Sequence, residues 1–253
     1  MSGILLEASA VAKHFGGVKA LRDVSLTIRQ GEVYGLIGPN GAGKTTFFNC
    51  LTGLYVPDGG GFRFAGQPLL ADAPQKAAER GIARTFQNIR LFGNMTALEN
   101  VMVGRHVRTR AGVLGAMFQN QATRAEEAAI RQRALDLLHY VRIEECADDL
   151  AKNLSYGDQR RLEIARALAT EPKLLCLDEP AAGMNATETA ELRDLIEGIR
   201  RDGTTILLIE HDVKLVMGLC DRVAVLDYGA LVIEDVPAVV QKDPRVIEAY
   251  LGA

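Results

Sequence analysis

The chain has 253 residues, with 29 lysines and arginines against 32 aspartates and glutamates, so its formal net charge is −3. Hydrophobic residues make up 48% of it, which excludes a disordered chain because such a chain lacks the apolar surface to offset its ordering entropy. The slightly acidic balance argues against binding of nucleic acid through bulk positive charge. No run approaches the roughly 20 apolar residues that cross a bilayer, and acidic Glu7 interrupts the first stretch, so we expect no signal peptide.

Strands dominate the first part of the predicted fold. Residues 4–8 and 24–28 contain the alternation of apolar and polar side chains that predicts half-buried strands. Val33–Ile37 is almost continuously apolar, as expected of a strand covered on both faces. Residues 46–54 then predict a helix, and from about residue 97 to residue 142 the pattern is helical, with apolar positions separated by charges.

After residue 155 the sequence alternates between helical and strand-like segments. The predicted helices cover residues 160–169 and 187–201, and the predicted strands cover 174–177, 205–209, 222–226 and 231–233. Strands that alternate with helices predict an α/β fold with a mostly parallel sheet. The helical block in the middle is then expected to form a smaller subdomain beside it.

A phosphate-binding motif joins the strand Val33–Ile37 to the following helix. Residues 38–45 read GPNGAGKT and fit G-x-x-x-x-G-K-[ST], in which glycines let backbone N–H groups point at phosphate oxygens. The lysine supplies a cation for the β and γ phosphates, and the hydroxyl after it can ligate Mg²⁺. A structural glycine turn is the alternative. The predicted nucleotide-binding residues here are Gly38, Pro39, Asn40, Gly41, Ala42, Gly43, Lys44, Thr45 and Thr46.

A pair of carboxylates follows the predicted strand 174–177. Asp178 is placed to hold Mg²⁺ beside the phosphate loop, and Glu179 to take a proton from an attacking water. A solvated strand end is the alternative interpretation, since single acids are common there.

Further motifs indicate the kind of triphosphatase. Residues 154–161, LSYGDQRR, resemble the signature motif of ATP-binding cassette (ABC) ATPases, usually L-S-G-G-Q. Gln87 in ARTFQNIRLF is similar to the glutamine loop of that family, His211 in LLIEHD to its switch histidine, and Phe15 in KHFGG to its adenine-stacking aromatic. Asn185 in PAAGMN falls in the loop that follows Glu179. Five motifs thus occur in the family's order, and the resemblance covers the whole chain.

The resemblance implies a P-loop NTPase core with a mixed sheet and an inserted helical subdomain. The core is expected over residues 1–95 and 159–253, with a β-rich N-terminal part and a RecA-like part, and the subdomain over 96–158. It also implies that Gln87 contacts Mg²⁺ and water and that His211 contacts the γ-phosphate as catalytic partners of Glu179. Ser155 and Gly157 of one ATPase are expected to close the ATP site of another.

Each of these roles has an ordinary structural alternative. Phe15 could be a core aromatic, Gln87 a surface amide and His211 a hydrogen-bonded residue at a strand end. The apolar residues Ile89, Leu91, Phe92 and Met95 could form a groove for a partner helix or pack inside the helical subdomain.

The finer pattern resembles the ATPase subunit of branched-chain (hydrophobic) amino acid importers. The stretches RTFQNIRLF, LDEPAAGMN and the C-terminal VIEAYLG carry this resemblance. It implies a peripheral subunit on the cytoplasmic face of the inner membrane, with permease subunits, a second ATPase (a paralogue or an identical copy) and, indirectly, a periplasmic binding protein as partners. ATP and Mg²⁺ are the implied cofactors. Urea or amide importers, a soluble ABC ATPase and a P-loop kinase remain as alternatives.

Three residues depart from the common family pattern. Tyr156 replaces a glycine and Asp158 replaces a glutamine of the signature, and Asn185 in PAAGMN stands where aspartate is usual. Ser155 and Asp158 have the spacing of a capping box, so they could simply cap a helix. We also expect Asp158 to raise the electrostatic cost of bringing a γ-phosphate to that helix end.

Overall fold

The computed structural model describes residues 3–69, 73–105 and 121–251, which belong to two compact units. The first consists of Met1–Arg84 and Lys173–Ala253, and the second of Thr85–Pro172. The helical segment predicted over 96–158 lies within the second unit. Among the described residues, no helix is both long and apolar enough to cross a membrane.

The first unit contains a four-stranded antiparallel sheet. Its strands are β1 (Ile4–Phe15), β2 (Val18–Arg29), β4 (Gly59–Phe64) and β5 (Gln67–Leu69), in the order β2-β1-β4-β5. The predicted strands at 4–8 and 24–28 are confirmed and are longer than predicted, whereas β4 and β5 were not predicted. Leu6 and Val11 are both buried, as are Leu21 and Val24, although the members of each pair are an odd number of residues apart. Strict alternation does not give this pattern, and irregularities interrupt the pairing of β1 with β2.

A six-stranded sheet forms the rest of the core of this unit. It consists of β3 (Val33–Ile37), β6 (Ile82–Arg84), β7 (Leu174–Asp178), β8 (Thr205–Ile209), β9 (Arg222–Asp227) and β10 (Ala230–Asp235). The order is β10-β9-β3-β8-β7-β6, and only β10 is antiparallel to its neighbour. Every residue of β3, β7 and β8 is buried. The predicted, mostly parallel α/β sheet is thereby confirmed.

Helices follow the strands of the first unit. They are α1 (Lys44–Leu51), α2 (Pro74–Arg80), α6 (Ala186–Arg201), α7 (Val213–Leu219), α8 (Pro237–Val240) and α9 (Pro244–Leu251). The second unit contains α3 (Ala97–Arg105), α4 (Gln121–Tyr140) and α5 (Tyr156–Leu168). Two short 3₁₀ turns, Glu144–Cys146 and Ala151–Asn153, lie between α4 and α5. The helical pattern predicted over 97–142 is confirmed for α3 and α4, and residues 106–120 of it lie outside the described residues.

The strand order determines where the predicted site residues meet. Strand β8 lies between β3 and β7 and is parallel to both. The carboxyl ends of all three therefore lie at one edge of the sheet, which is where α/β proteins bind ligands. Gly38 follows β3, Glu179 follows β7, and His211 lies two residues beyond β8.

Candidate functional site

The phosphate loop is compact and depends on glycine at defined positions. Gly38 has φ 149°, and a Cβ built on it would lie 2.1 Å from the carbonyl oxygen of Leu226. Gly43, with φ 104°, caps the N-terminus of α1, and its Cβ would lie 2.5 Å from the carbonyl oxygen of Ala20. Both contacts are far below van der Waals distance, so a side chain at either position would displace the loop. The predicted order of strand, glycine-rich loop and helix is present, with α1 beginning at Lys44.

Lys44 is the buried cation of this loop. Its Nζ donates hydrogen bonds to the carbonyl oxygens of Gly38 at 2.7 Å and Pro39 at 3.0 Å. Burial lowers the pKa of the Lys44 ammonium, and the negative charges of Glu179 and Asp178 oppose that shift. The lysine thus lies within electrostatic reach of both predicted carboxylates, as a phosphate-binding site requires.

Asp178 is held by an arginine that the sequence analysis did not identify. Nη2 of Arg84 lies 2.8 Å from Oδ2 of Asp178, and the two side chains are 7% and 2% exposed. Nη1 of Arg84 donates to Oδ1 of Asn49 at 2.6 Å, and the guanidinium lies over the ring of Phe48. Arg84 stands in the ARTFQ stretch, but a sequence does not show which carboxylate a buried arginine will meet.

The two predicted catalytic residues Glu179 and His211 are in direct contact. His211 Nε2 lies 2.5 Å from Glu179 Oε1. Behind them, the buried carboxylate of Glu210 accepts hydrogen bonds from the amides of Ala181 at 2.7 Å, His211 at 3.0 Å and Asp212 at 3.5 Å. Glu210 therefore ties the turn after β7 to the turn after β8. The sequence analysis missed this role, although Glu210 stands directly before the histidine.

The donor set in the first unit suits Mg²⁺. Thr45 presents an exposed hydroxyl on the first turn of α1, and Asp178 supplies a carboxylate. Within the described ranges there is no cluster of three or more histidines, cysteines, aspartates or glutamates that could hold a metal ion unaided. Such a site fits Mg²⁺, which is usually bound by one or two protein oxygens together with water and substrate phosphates. Gln87, the third predicted metal ligand, belongs to the second unit.

Phe15 is 43% exposed and does not belong to the core. Its ring packs edge to face against Tyr55, with the centroids 5.2 Å apart, and Lys13 Nζ lies 5.6 Å from its centroid. An exposed aromatic at the end of β1 is available for stacking on a base.

The second unit carries Gln87 and the signature residues. Gln87 is exposed, as is Ser155, and Gly157 is half-buried. Ser155 caps α5: its hydroxyl accepts the amide hydrogen of Asp158 at 3.2 Å and donates to Oδ2 of the same residue at 2.6 Å. The predicted cap is confirmed, but the carboxylate of Asp158 accepts from the serine hydroxyl and not from the backbone amide of Ser155 as in a full capping box.

The remaining predicted features are on the surface or at a helix end. Asn185 forms a complete capping box with Glu188 at the start of α6, which is a sufficient local reason for an asparagine there. Of the apolar residues after Gln87, Phe92 is 48% exposed and Met95 38% exposed. Core packing inside the second unit therefore does not account for these two side chains.

Sequence comparisons give a consistent result. Residues 21–182 match the ABC transporter family, and residues 234–253 match branched-chain amino acid ATP-binding cassette transporters. Over its whole length the chain is 46% identical to the high-affinity branched-chain amino acid transport ATP-binding protein LivG of Salmonella typhimurium, of which it covers 99%. BraF of Pseudomonas aeruginosa, described in the same words, is 45% identical over 100% of this chain and 99% of that protein.

Structural comparisons agree. A nucleotide-free ATP-binding cassette from an ABC transporter superposes with a TM-score of 0.86 at 31% identity, covering 99% of this chain and 100% of the other. A dimeric cassette in a post-hydrolysis state, bound to ADP and phosphate, superposes with a TM-score of 0.78 at 26% identity, over 92% of this chain and 99% of the other.

Proposed function

We propose that this chain, which belongs to the ABC transporter family of ATP-binding proteins, powers the uptake of branched-chain or other hydrophobic amino acids by hydrolysing ATP. One observation carries the proposal. Lys44, Asp178, Glu179 and His211 converge at one edge of the parallel sheet, in a chain similar over its full length to branched-chain amino acid transport ATP-binding proteins. The amino acid substrate rests on this similarity, because the transported solute does not contact an ATPase subunit.

In the proposed mechanism the phosphate loop binds the triphosphate. When the triphosphate binds, Lys44 breaks its hydrogen bonds to the carbonyl oxygens of its own loop and donates to β- and γ-phosphate oxygens instead. The positive end of the α1 dipole, at its N-terminus, also attracts the phosphates. Thr45 and Asp178 would hold Mg²⁺, together with Gln87, and the ion supplies charge neutralisation at the phosphates. Phe15 stacks on the adenine.

Glu179 acts as the general base. A water attacks the γ-phosphorus, the bond between this phosphorus and the bridging oxygen of ADP breaks, and Glu179 accepts the proton of the water. His211 already contacts this carboxylate. It orients the carboxylate and then donates a hydrogen bond to a γ-phosphate oxygen. The backbone bonds that Glu210 accepts fix the two turns from which these side chains project.

A second ATPase completes the site. Donors from one side cannot surround a triphosphate, and the N-terminus of α5 with Ser155 and Gly157 supplies the missing ones from another copy or a paralogue. Pairing of this kind agrees with the dimeric cassette that the chain resembles. ATP would then lie between the phosphate loop of one chain and the signature of the other.

The exposed apolar side chains of Phe92 and Met95 are the proposed contact with the membrane-spanning subunits. We propose that they form one apolar surface with half-buried Ile89 and Leu91, which follow Gln87 in the same segment. We assign this surface to a helix at the cytoplasmic end of a permease subunit, so that the chain is peripheral on the inner membrane. An apolar surface suits a permease helix better than a nucleic acid, which would need positive charge.

The experiment uses the chain purified with its membrane partners and reconstituted in vesicles. ATP-dependent uptake of leucine is expected, with no uptake of urea, and the opposite selectivity would contradict the proposed substrate. Glu179→Gln should still bind a fluorescent ATP analogue and accumulate as an ATP-bound pair. Its turnover should fall by about 10²–10⁴-fold, while Glu127→Gln, an exposed carboxylate on α4, keeps the wild-type rate. Wild-type turnover in Glu179→Gln would refute the assignment of the base.

A further inference from the structure

Helix α5 carries a buried ion pair that the proposed mechanism does not use. Arg160 Nη1 lies 3.2 Å from Glu163 Oε2, one helical turn away, and the side chains are only 2% and 1% exposed. Charged side chains are rarely buried this completely, and replacing such a pair by apolar residues is often neutral or stabilising. Stability alone is therefore a weak reason for this pair, and its other contacts are more informative.

Both members of the pair bind the backbone of the segment that contains Gln87. Arg160 donates to the carbonyl oxygen of Phe86 at 2.6 Å and, through Nη2, to that of Gln87. Glu163 Oε1 accepts the amide hydrogens of Phe86 at 3.3 Å and Arg90 at 3.4 Å. The pair thus bonds both polar backbone groups of Phe86 and one each of Gln87 and Arg90, while the side chain of Gln87 remains exposed.

The far end of the same segment is fastened to a different helix. Asn100 on α3 is fully buried. Its Oδ1 accepts the amide hydrogen of Phe92 at 2.9 Å, and its Nδ2 donates to the carbonyl oxygens of Phe92 at 3.1 Å and Thr96 at 2.9 Å. Residues 86–96 are thus bound at both ends by buried side chains, although they carry no regular secondary structure.

We infer that Arg160 and Glu163 are positioning residues that fix the Gln87 backbone to the helix starting at the signature. Arg160 lies only five residues from Ser155, so the glutamine loop and the N-terminus of α5 move together. Movement of the loop at one ATP site would then shift Ser155, which serves the other. The inference rests on the proposed function, in which Gln87 and Ser155 face different nucleotides.

The pair is suited to this task by its bonding capacity. A guanidinium has five N–H donors in a fixed planar fork, and a carboxylate accepts up to about four hydrogen bonds. Two side chains therefore hold several backbone groups that no regular helix or strand satisfies, as buried polar groups require. Apolar replacements would fill the same volume but would release the loop from the helix.

The test is a double-mutant cycle on ATP turnover in the full chain with its membrane partners. Glu163→Gln keeps the shape and an oxygen acceptor but removes the charge that holds Arg160. If Glu163 acts through Gln87, we expect Glu163→Gln to lower turnover by about tenfold, with little change in the KM for ATP because the phosphate loop is untouched. Gln87→Ala should show a similar loss, and the double variant should be no slower than the slower single variant.

A structural readout accompanies the kinetics. Hydrogen exchange of the amides of Phe86 and Arg90 should accelerate in Glu163→Gln, while exchange in the first unit stays at the wild-type rate. The matched control is Glu197→Gln on α6 of the first unit, which breaks another pair with i,i+3 spacing, to Arg200. It should change neither the exchange at residues 86–90 nor turnover.

The outcomes separate this inference from the function on which it rests. If the losses of turnover in Glu163→Gln and Gln87→Ala multiply, the double variant will be slower by about a hundredfold. That result would overturn the coupling between Glu163 and Gln87 and leave the ATPase assignment intact. Unchanged exchange at Phe86 and Arg90 would also overturn it. Wild-type turnover in Gln87→Ala would refute the proposed role of Gln87 and the coupling with it.

Discussion

Replacing Arg84 by methionine would leave the carboxylate of Asp178 buried without its arginine partner. The pair is 2.8 Å apart and almost fully shielded from water, so solvent cannot replace the lost interaction. Removing one member of a buried pair costs about 3–5 kcal/mol, which is a large part of the roughly 5–15 kcal/mol that stabilises a typical protein. We therefore expect Arg84→Met to lower the free energy of unfolding by about 3–5 kcal/mol.

Urea unfolding measures this loss. With a slope of about 3 kcal/mol per molar urea, the midpoint should fall by about 1–2 M. Arg201→Met is the matched control, because its guanidinium is 75% exposed and lies 3.7 Å from a carboxylate of Glu197. An exposed pair contributes about 0–1 kcal/mol, so that midpoint should hardly move.

The double variant Arg84→Met with Asp178→Leu tests the cause. Replacing both charges by apolar side chains also removes the carboxylate that has lost its arginine, so most of the lost stability should return, although hydrolysis would be abolished. A loss below about 1 kcal/mol in Arg84→Met, or a double variant that loses the sum of the two single losses, would refute the reasoning.

Three further predictions concern the loop, the signature and a buried acid. Gly38→Ala should reduce turnover by about 10²-fold, because its Cβ would lie 2.1 Å from a backbone oxygen. Gly41→Ala should lose less turnover, because its Cβ meets nothing within 4 Å. Steady-state ATPase assays compare the two variants. Asp158→Asn removes a negative charge at the N-terminus of α5, so ATP-driven association in sedimentation runs should tighten by about 2–5-fold, and looser association would contradict the predicted electrostatic cost. Burial raises the pKa of Glu210 above its ordinary 4.5. The folded state then binds that proton more tightly, and unfolding free energy falls as pH rises through the raised pKa. Glu210→Gln should remove this decline in urea titrations at several pH values, and an unchanged decline would refute the prediction.

The part of the fold that the sequence predicts best is the part with strong local signals. Strands β3, β7 and β8 are continuous apolar runs, each followed by a motif residue, and the structure has them within one residue of prediction. Strand β4 was missed because its sequence GGGFRF is typical of a turn. The reason for the glycine lies in the neighbouring strand: a Cβ on Gly60 would lie 2.1 Å from the carbonyl oxygen of Ala10. Local propensity does not contain that contact.

The site residues also divide into those that local motifs predict and those that depend on distant contacts. Lys44, Glu179 and His211 were predicted because their motifs carry the chemistry in a few consecutive residues. Arg84 was missed because Asp178, the carboxylate that it meets, lies 94 residues away in the chain. Glu163 was missed because the loop amides that it accepts lie 73 and 77 residues away. An arginine or glutamate in a helix or strand reads as a solvated surface charge until the fold shows what it faces.

The backbone at Glu179 connects the missed residues to the chemistry. Glu179 has φ 49°, a left-handed conformation that costs a residue with a side chain of order 1 kcal/mol or more and persists only where surrounding bonds enforce it. Two such bonds are present: the amide of Glu179 donates to the carbonyl oxygen of Ile209 at 2.9 Å, and Glu210 accepts the amide of Ala181 at 2.7 Å. Because Glu210 also accepts the amide of His211, one buried carboxylate fixes both the strained turn and the histidine. The position of the proposed base is therefore a property of two neighbouring strand ends and not of its own segment.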